Sequence, residues 1–597
     1  MTSDSAASTT SDLEARARAW LADDPDAETR AELEKLIDAK AWDELTDRFR
    51  TRLEFGTAGL RGVLGAGPNR MNRAVVRAAS AGFCAYLIET TPNARERGIA
   101  IGYDGRRGSV EFADETAEVA TAAGFKVLLF GVPVPTPIVG FTCLQKNTAG
   151  GVVVTASHNP PEYNGYKVYW SNGAQIIPPH DIGIAAAIEK VGKLADVPRT
   201  SLADAEREGL LIRVGPEAID AYHAAIAGLV PRTGPGRDLG IAYTALHGVG
   251  DVHVHRALAT AGFANVHSVA SQAEPDGSFP TVRFPNPEEK GAMDRVLALA
   301  KEKNAPLVIA NDPDADRLAV AARKEDGSYV QLTGNEVGTL FGHTLLSLAP
   351  SAEKVGGGKR VVVSSLVSSP MLGAIAKAHD AHWEETLTGF KWIANRSIEL
   401  EHEGYRFVFG YEEALGYTVG TVVRDKDGVS AALVFAELAA RCHAEGRSVL
   451  DELDVCARKY GLYLSRQVSV TKTGQDGAAA IRATMDAVRA SPPKMVGEHP
   501  VIGFSDLSAG TKTVTMADGS SATEKLPFLP SNVISIDLAG GHRVMLRPSG
   551  TEPKIKYYFD IKETIGAREH TLSARERGER VLQDLIAAFL PLVGEKT

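Results

Sequence analysis

The sequence predicts a multi-domain α/β protein, with three successive α/β sheet domains and a C-terminal α+β domain around a central cleft. Three observations predict it. From about residue 74 helical and strand patterns alternate, as in sheets that carry their connecting helices on the faces. Several apolar runs then stop abruptly at loops rich in reactive side chains, and ligands of open α/β sheets sit beyond the strand ends. From about residue 465 the pattern changes. Ile534, Ile536 and Leu538 alternate with polar residues, as do Ile555, Tyr557 and Phe559, and a closing helix shows Leu582, Leu585, Ile586 and Phe589 on one face.

A chain of 597 residues is too long for one core; domains of about 100–200 residues give roughly three to five. The expected segments are an N-terminal tail and helical lead-in over 1–45, domain I over 46–232, domain II over 237–345, domain III over 359–460 and domain IV over 465–597. The breaker cluster Pro231-Arg232-Thr233-Gly234-Pro235-Gly236 marks the first linker. Composition is globular, with 44% hydrophobic and 23% charged residues. No apolar run is long enough to span a bilayer. Met1 to Asp12 is rich in Ser and Thr without an apolar stretch, which reads as a disordered tail rather than a signal peptide. The four cysteines, Cys84, Cys143, Cys442 and Cys456, have neither metal nor disulfide spacing and fit a reducing, cytoplasmic setting. A net charge of −10 disfavours nucleic acid as a partner. An anionic substrate would need its cations concentrated locally.

After helical spacing at Leu33, Leu36 and Ile37 and at Leu45 and Phe49, the stretch Phe55-Gly56-Thr57-Ala58-Gly59-Leu60-Arg61-Gly62 is glycine-rich. It is either a plain turn or a place where Arg61 offers its planar fork to a phosphate. The run Gly151 to Val154 reads as a buried strand, and Asn159-Pro160-Pro161 cannot extend it. Ser157 therefore leaves a rigid sheet on an exposed loop. That position suits a nucleophile or phosphate carrier as well as a hydroxyl that caps a turn. Ten residues on, Lys167 is either a solvated cation or, partly desolvated, a proton-transfer group. His247, at a later strand end, is a ligand contact or a satisfied structural histidine.

The strand Leu307 to Ala310 runs into Asp312, Asp314 and Asp316. Carboxylates so close repel one another unless a cation neutralises them, and oxygen-only ligands suit Mg²⁺ before Ca²⁺. An EF-hand is excluded, because its sixth and twelfth positions fall on Arg317 and Arg323. Gly356-Gly357-Gly358-Lys359 is not a P-loop, since Glu353 and Arg360 stand where Gly and Ser/Thr are required. In domain III, Thr386 to Lys391 combines hydroxyls, Gly389 and the cation Lys391. Phe407 to Gly410 ends at Glu412, placed either to accept hydrogen bonds from sugar hydroxyls or as a surface acid. In domain IV, Arg547-Pro548-Ser549-Gly550-Thr551-Glu552-Pro553 joins an arginine, two hydroxyls and a glycine in a compact phosphate cradle.

The motifs Thr155–Pro160, Asp312–Arg317, Gly410–Tyr417 and Arg547–Pro553, in this order, resemble the α-D-phosphohexomutase superfamily. Phe55–Gly62 and the Ala414 loop look most like its phosphopentomutase-like and bacterial phosphoglucomutase branch. The resemblance implies a four-domain phosphohexomutase-like architecture and an intramolecular phosphotransferase in which Ser157 carries the phosphoryl group. It implies that Asp312, Asp314, Asp316 and a phosphoserine oxygen hold Mg²⁺. Lys167 would be the general base or acid, with Arg61, His158 and Arg317 supporting the phosphoryl group. Thr388, Gly389, Lys391 and Glu412 would meet the sugar, and Arg547, Ser549, Gly550 and Thr551 the non-transferring phosphate.

The reaction so implied interconverts sugar 1- and 6-phosphates, glucose first, with mannose or pentose phosphates and a sugar-bisphosphate synthase or phosphatase as alternatives. A sugar bisphosphate such as glucose 1,6-bisphosphate would activate, and the protein would be a monomer or homodimer. The charges agree: three aspartates and a phosphoserine carry about −5 against +2 from the metal, so cations must flank the site. Ala414 stands where many superfamily members have serine, and Tyr417 replaces a histidine near that loop's end, which leaves the sugar open. A hydrolase that admits water and a non-catalytic phosphosugar sensor are the readings from other classes.

Overall fold

The computed structural model describes residues 3–348, 358–472, 477–516, 518–549 and 554–595. The chain forms two compact units: Met1–Leu332 with Leu415–Ser448, and Thr333–Ala414 with Val449–Thr597. No helix among the described residues is long and apolar enough to cross a membrane.

The first unit opens with three helices, α1 (Ser3–Asp23), α2 (Ala27–Asp38) and α3 (Trp42–Phe49). Ser3 to Asp12, within the segment expected as a disordered tail, thus starts α1. Its Ala, Leu, Glu and Arg residues favour helix locally, and Ala17 is buried with Leu33, Ile37, Leu45 and Phe49 in a small core of its own.

Six strands follow: β1 (Leu60–Val63), β2 (Ile99–Tyr103), β3 (Val127–Phe130), β4 (Gly150–Val154), β5 (Tyr163–Trp170) and β6 (Leu211–Val214). Their spatial order is β1-β5-β4-β2-β3-β6. The run β4-β2-β3-β6 is parallel, and β5 and β1 add antiparallel pairs at one edge. Parallel strands are covered on both faces, so β2 and β4 are apolar and buried throughout. Tyr163 to Lys167 carries no element assigned from the sequence. It is the start of β5, with Val152 and Val153 paired to Val168 and Lys167. Gly59 enters β1 with φ +73, and a Cβ there would stand 1.8 Å from Tyr166 O, so only glycine lets the two backbones meet.

Across this sheet lies α4 (Arg73–Thr90), packed on the helix Ser109–Ala122. Glu115 of the latter is fully buried between Arg77 Nε at 2.6 Å and Arg73 Nη2 at 2.8 Å. Truncating one partner of a buried pair strands the other charge. Glu115→Ala is therefore expected to destabilise the first unit by about 3–5 kcal/mol, read as a lower denaturant midpoint.

The second sheet has β7 (Ile241–Thr244), β8 (Val266–Ser268), β9 (Leu307–Ala310), β10 (Ala319–Arg323) and β11 (Tyr329–Gln331), in the order β11-β10-β9-β7-β8. The β7, β8 and β9 strands are parallel. His247 is buried and its Nε2 lies 2.8 Å from Thr281 Oγ1, a structural contact.

In the second unit β12 (Arg360–Ser365), β13 (His382–Thr386) and β14 (Arg406–Glu412) pair in parallel, with β12 in the middle. The chain returns to the first unit through β15 (Gly416–Val419) and the almost wholly buried helix Gly428–Ala444.

The last sheet is antiparallel. It contains β16 (Leu462–Thr471), β17 (Met495–Val496), β18 (His499–Asp506), β19 (Thr511–Thr515), β20 (Ser521–Lys525), β21 (Ile534–Leu538), β22 (His542–Pro548) and β23 (Lys554–Glu563). The alternating residues Ile534, Ile536, Leu538, Ile555, Tyr557 and Phe559 pack against Leu582, Leu585 and Phe589 of the closing helix Thr571–Leu592.

Candidate active site

In the first unit two strand ends meet. Beyond β4, Ser157 adopts a left-handed backbone, φ +52. Beyond β9 lie Asp312, Asp314 and Asp316, all at most 1% exposed. Ser157 Oγ donates to Asp312 Oδ2 at 2.7 Å and lies 3.1 Å from His158 Nδ1. One ligand oxygen from each aspartate can be chosen so that all lie within 4.8 Å of one another.

The carboxylates are only partly satisfied. Asp312 Oδ1 accepts the Arg317 N–H at 3.0 Å, and Asp314 Oδ2 accepts from Thr136 Oγ1 at 2.8 Å. Asp316 Oδ2 accepts from Lys167 Nζ at 2.9 Å. Asp314 Oδ1 and Asp316 Oδ1 are buried and accept no hydrogen bond. Buried polar atoms are rarely left so. Two such anionic oxygens in one oxygen-only cluster fit a hard divalent cation.

Charge interactions divide the triad. Burial and the neighbouring Asp314 and Asp316 push the Asp312 carboxyl well above its usual range. Burial also acts to raise Asp316, but Lys167, Lys426 and Arg317 outweigh it and hold that carboxyl below its range. Burial would lower Lys167, yet Asp316 and Asp314 overcome it and keep the ammonium charged. Lys167 is therefore a buried cation paired with Asp314 and Asp316. Burial, with Arg317 and Arg61 nearby, keeps His158 neutral, well below its ordinary value. Arg61 is exposed on β1 and donates to Asn159 Oδ1 at 3.3 Å.

Sequence reasoning missed Lys426, whose Nζ is 3.2 Å from Asp316 Oδ2. Its loop is pinned by Asp425, which accepts from Tyr169 Oη at 2.5 Å and from Gln175 Nε2 at 2.7 Å. The charged run Arg424-Asp425-Lys426-Asp427 ahead of an apolar helix was the available signal.

The second unit carries the remaining expected residues. Glu412 ends β14 and is buried. Its neighbour Glu413 accepts from Ser365 Oγ at 3.1 Å. Burial and the adjacent Glu412 push Glu413 up to about 7. Thr388 Oγ1 is buried without a hydrogen-bond partner. Gly389 has φ +115, and the helix Phe390–His402, which includes the half-buried Lys391, starts after it. Arg547 lies on β22 opposite Lys556, and Ser549 N donates to Lys554 O at 2.7 Å. Gly550 and Thr551 lie outside the described residues. Tyr417, on β15 in the first unit, is fully buried. The sequence missed Arg543, which donates to Asp560 Oδ2 and Ser368 O, each at 2.8 Å, and sits 3.3 Å from Glu385.

Three family models match in succession: phosphoglucomutase/phosphomannomutase α/β/α domain I over 52–195, domain II over 220–327 and domain III over 333–460. The chain is 42% identical to a probable phosphomannomutase of Haemophilus influenzae, over 82% of this chain and 93% of that protein. It is 39% identical to a probable phosphoribomutase of Schizosaccharomyces pombe, over 93% of each. The human phosphopentomutase is 36% identical over 96% of this chain and 94% of its own length. Among solved structures, a phosphoglucomutase/phosphomannomutase family protein of Burkholderia thailandensis shares the fold with a TM-score of 0.61 at 20% identity, over 89% of this chain and 97% of that one. Matching domains in the same order, together with relatives above 30% identity over most of their length, place this chain in the phosphoglucomutase/phosphomannomutase family of phosphosugar-mutase enzymes.

Proposed function

We propose that the protein moves a phosphoryl group between the 1-position and the terminal hydroxyl of an aldose phosphate, with Ser157 as carrier. One observation carries the reading: a loop serine 2.7 Å from the first of three buried carboxylates, two of which keep unsatisfied oxygens. Asp312, Asp314 and Asp316 would hold Mg²⁺, which supplies charge neutralisation to the phosphoryl group when bound.

The forward half-reaction breaks the phosphoserine O–P bond and forms one to the sugar oxygen. The sugar hydroxyl loses a proton and Ser157 Oγ gains one, so no net proton is consumed. Lys167 relays the proton: its ammonium gives one to Oγ as the O–P bond breaks, and the amine so formed takes the one that the sugar hydroxyl loses. Arg61 and Arg317 add fixed positive charge where the phosphoryl oxygens gather, and the neutral His158 orients Oγ. The reverse half-reaction returns the other phosphate of the bisphosphorylated sugar to Ser157. Glu412, Thr388, Gly389 and Lys391 are assigned to the sugar. Arg547, Ser549, Gly550 and Thr551 are assigned to the phosphate that does not move. A sugar bisphosphate would prime the enzyme.

Glucose 1-phosphate is the substrate expected from sequence. The relatives aligned over nine-tenths or more of both chains include those named phosphoribomutase and phosphopentomutase, and this favours ribose 1-phosphate. The test compares kcat/KM for ribose, glucose and mannose 1-phosphates with Mg²⁺ and a trace of the matching bisphosphate, tracking free phosphate. A preference for ribose 1-phosphate is expected. A preference for glucose or mannose 1-phosphate would overturn the pentose assignment, and phosphate release without isomerisation would overturn the mutase.

A further inference from the structure

The loop that carries Ser157 has few bonds of its own, among them Asn159 N–H to Ala156 O and Tyr163 N–H to Pro160 O, each at 3.1 Å. Its serine sits at φ +52, a region that costs an L-residue of order 1–2 kcal/mol. Asn159-Pro160-Pro161 supplies few backbone donors, and the loop's carbonyls need partners. One side chain outside the loop supplies four bonds to them. Arg106 Nη2 donates to Ser157 O at 2.6 Å and to Asn159 O at 2.5 Å. Its Nη1 donates to Pro160 O at 2.9 Å and to Tyr163 O at 3.2 Å.

The guanidinium is itself fixed. Asp104 Oδ2 lies 3.3 Å from Arg106 Nε, and Asp104 Oδ1 accepts the Arg106 N–H at 3.0 Å. Asp104 Oδ2 also accepts from Thr155 Oγ1 at 2.7 Å, and Thr155 Oγ1 accepts the Ser157 N–H at 2.8 Å. Both ends of the Ser157 residue therefore hang on one buried Asp104–Arg106 pair. The ring of Phe279 covers it, 4.9 Å from Arg106 Cζ. That cover fits closely, since a Cβ on Gly277 would stand 2.8 Å from Arg106 Cα.

We propose that Arg106 is the positioning residue of the phosphoryl carrier: its fork holds four loop carbonyls so that Ser157 Oγ stays aimed at the aspartate cluster. The inference rests on Ser157 being that carrier. No other cationic residue type can do this work, because arginine presents five donors in a plane whereas lysine offers three from a single point. Losing the fork strands the buried Ser157 carbonyl, removes a partner from three half-buried ones, and frees Ser157 to leave its left-handed conformation. A shift of about 1 Å at a reacting atom costs on the order of 100-fold in rate. A loosened carrier also lets water compete with the sugar hydroxyl for the phosphoryl group.

Arg106→Lys in the full chain tests this, because it keeps the charge and removes the fork. With Mg²⁺ and a sugar bisphosphate, kcat per folded molecule is expected to fall about 100-fold with KM nearly unchanged, and free phosphate released per isomerisation to rise about tenfold. A purely structural role would lower the folded fraction and leave that partition alone; such a result, or an unaltered kcat, overturns the proposal. Should the lysine variant fail to fold, Asp104→Asn keeps the shape of the side chain and removes the charge that fixes the guanidinium, which loosens the fork on the four carbonyls. A raised phosphate-to-isomerisation ratio in it supports the proposal, and a wild-type ratio overturns it. Ser157→Ala run alongside separates the two layers. If it retains activity the carrier assignment falls, whereas if it is dead while Arg106→Lys is unaffected only the positioning role falls.

Discussion

Ser157→Ala is expected to lower turnover by about 10⁴-fold or more, because a double displacement has no route around its covalent carrier. The fold should survive. Ser157 is 3% exposed, but its side chain contributes only the bond from Oγ to Asp312 and the contact with His158. Its backbone N–H is held by Thr155 and its carbonyl by Arg106, and both bonds persist in alanine. The variant should therefore unfold within a few degrees of wild type. It should also bind sugar phosphate and take up no label from a radiolabelled sugar bisphosphate. Label retained on the alanine protein, or turnover near wild type, would move the carrier elsewhere.

Much of this site was legible in the sequence because its parts sit at strand ends. The apolar run ahead of Thr155 and the one ahead of Asp312 are recognisable in one dimension, and in open α/β sheets the loops beyond such strands form the binding edge. What one dimension hides is pairing. Tyr163 to Lys167 lacks a turn-bounded apolar run, yet hydrogen bonding to β4 turns it into β5 and aims Lys167 at Asp316. Lys426 lies 110 residues beyond Asp316 and reaches it only because the chain returns to the first unit at β15. Arg106 stands unremarked at a strand end in the sequence, and its four carbonyl partners exist only once the Ser157 loop folds over it. The tail failed for a different reason. Its Ser and Thr content suggested disorder, but from Leu13 onward α1 has apolar residues to pack against α2 and α3. Local composition cannot report a partner that far along the chain.

Stripping divalent cations should reduce turnover to background, and the cause is legible in the carboxylates themselves. Three acids buried together are matched in number by Lys167, Lys426 and Arg317, but both lysines contact Asp316 Oδ2, and the Oδ1 atoms of Asp314 and Asp316 still accept no hydrogen bond. Asp312 responds by favouring its protonated form. A phosphoryl group of charge about −2 delivered to Ser157 then meets uncompensated repulsion. The readout need not be activity. A cation that binds the folded state alone raises stability by RT ln(1 + [L]/Kd), about 2.7 kcal/mol at a hundred times Kd. Mg²⁺ should accordingly raise the unfolding temperature of chelator-treated protein, and Asp314→Asn with Asp316→Asn should abolish that rise. The double variant removes two of the three charges but leaves Ser157, Asp312 and the arginines in place. If Mg²⁺ still shifted its unfolding as in wild type, the cation would be held somewhere other than at these three aspartates.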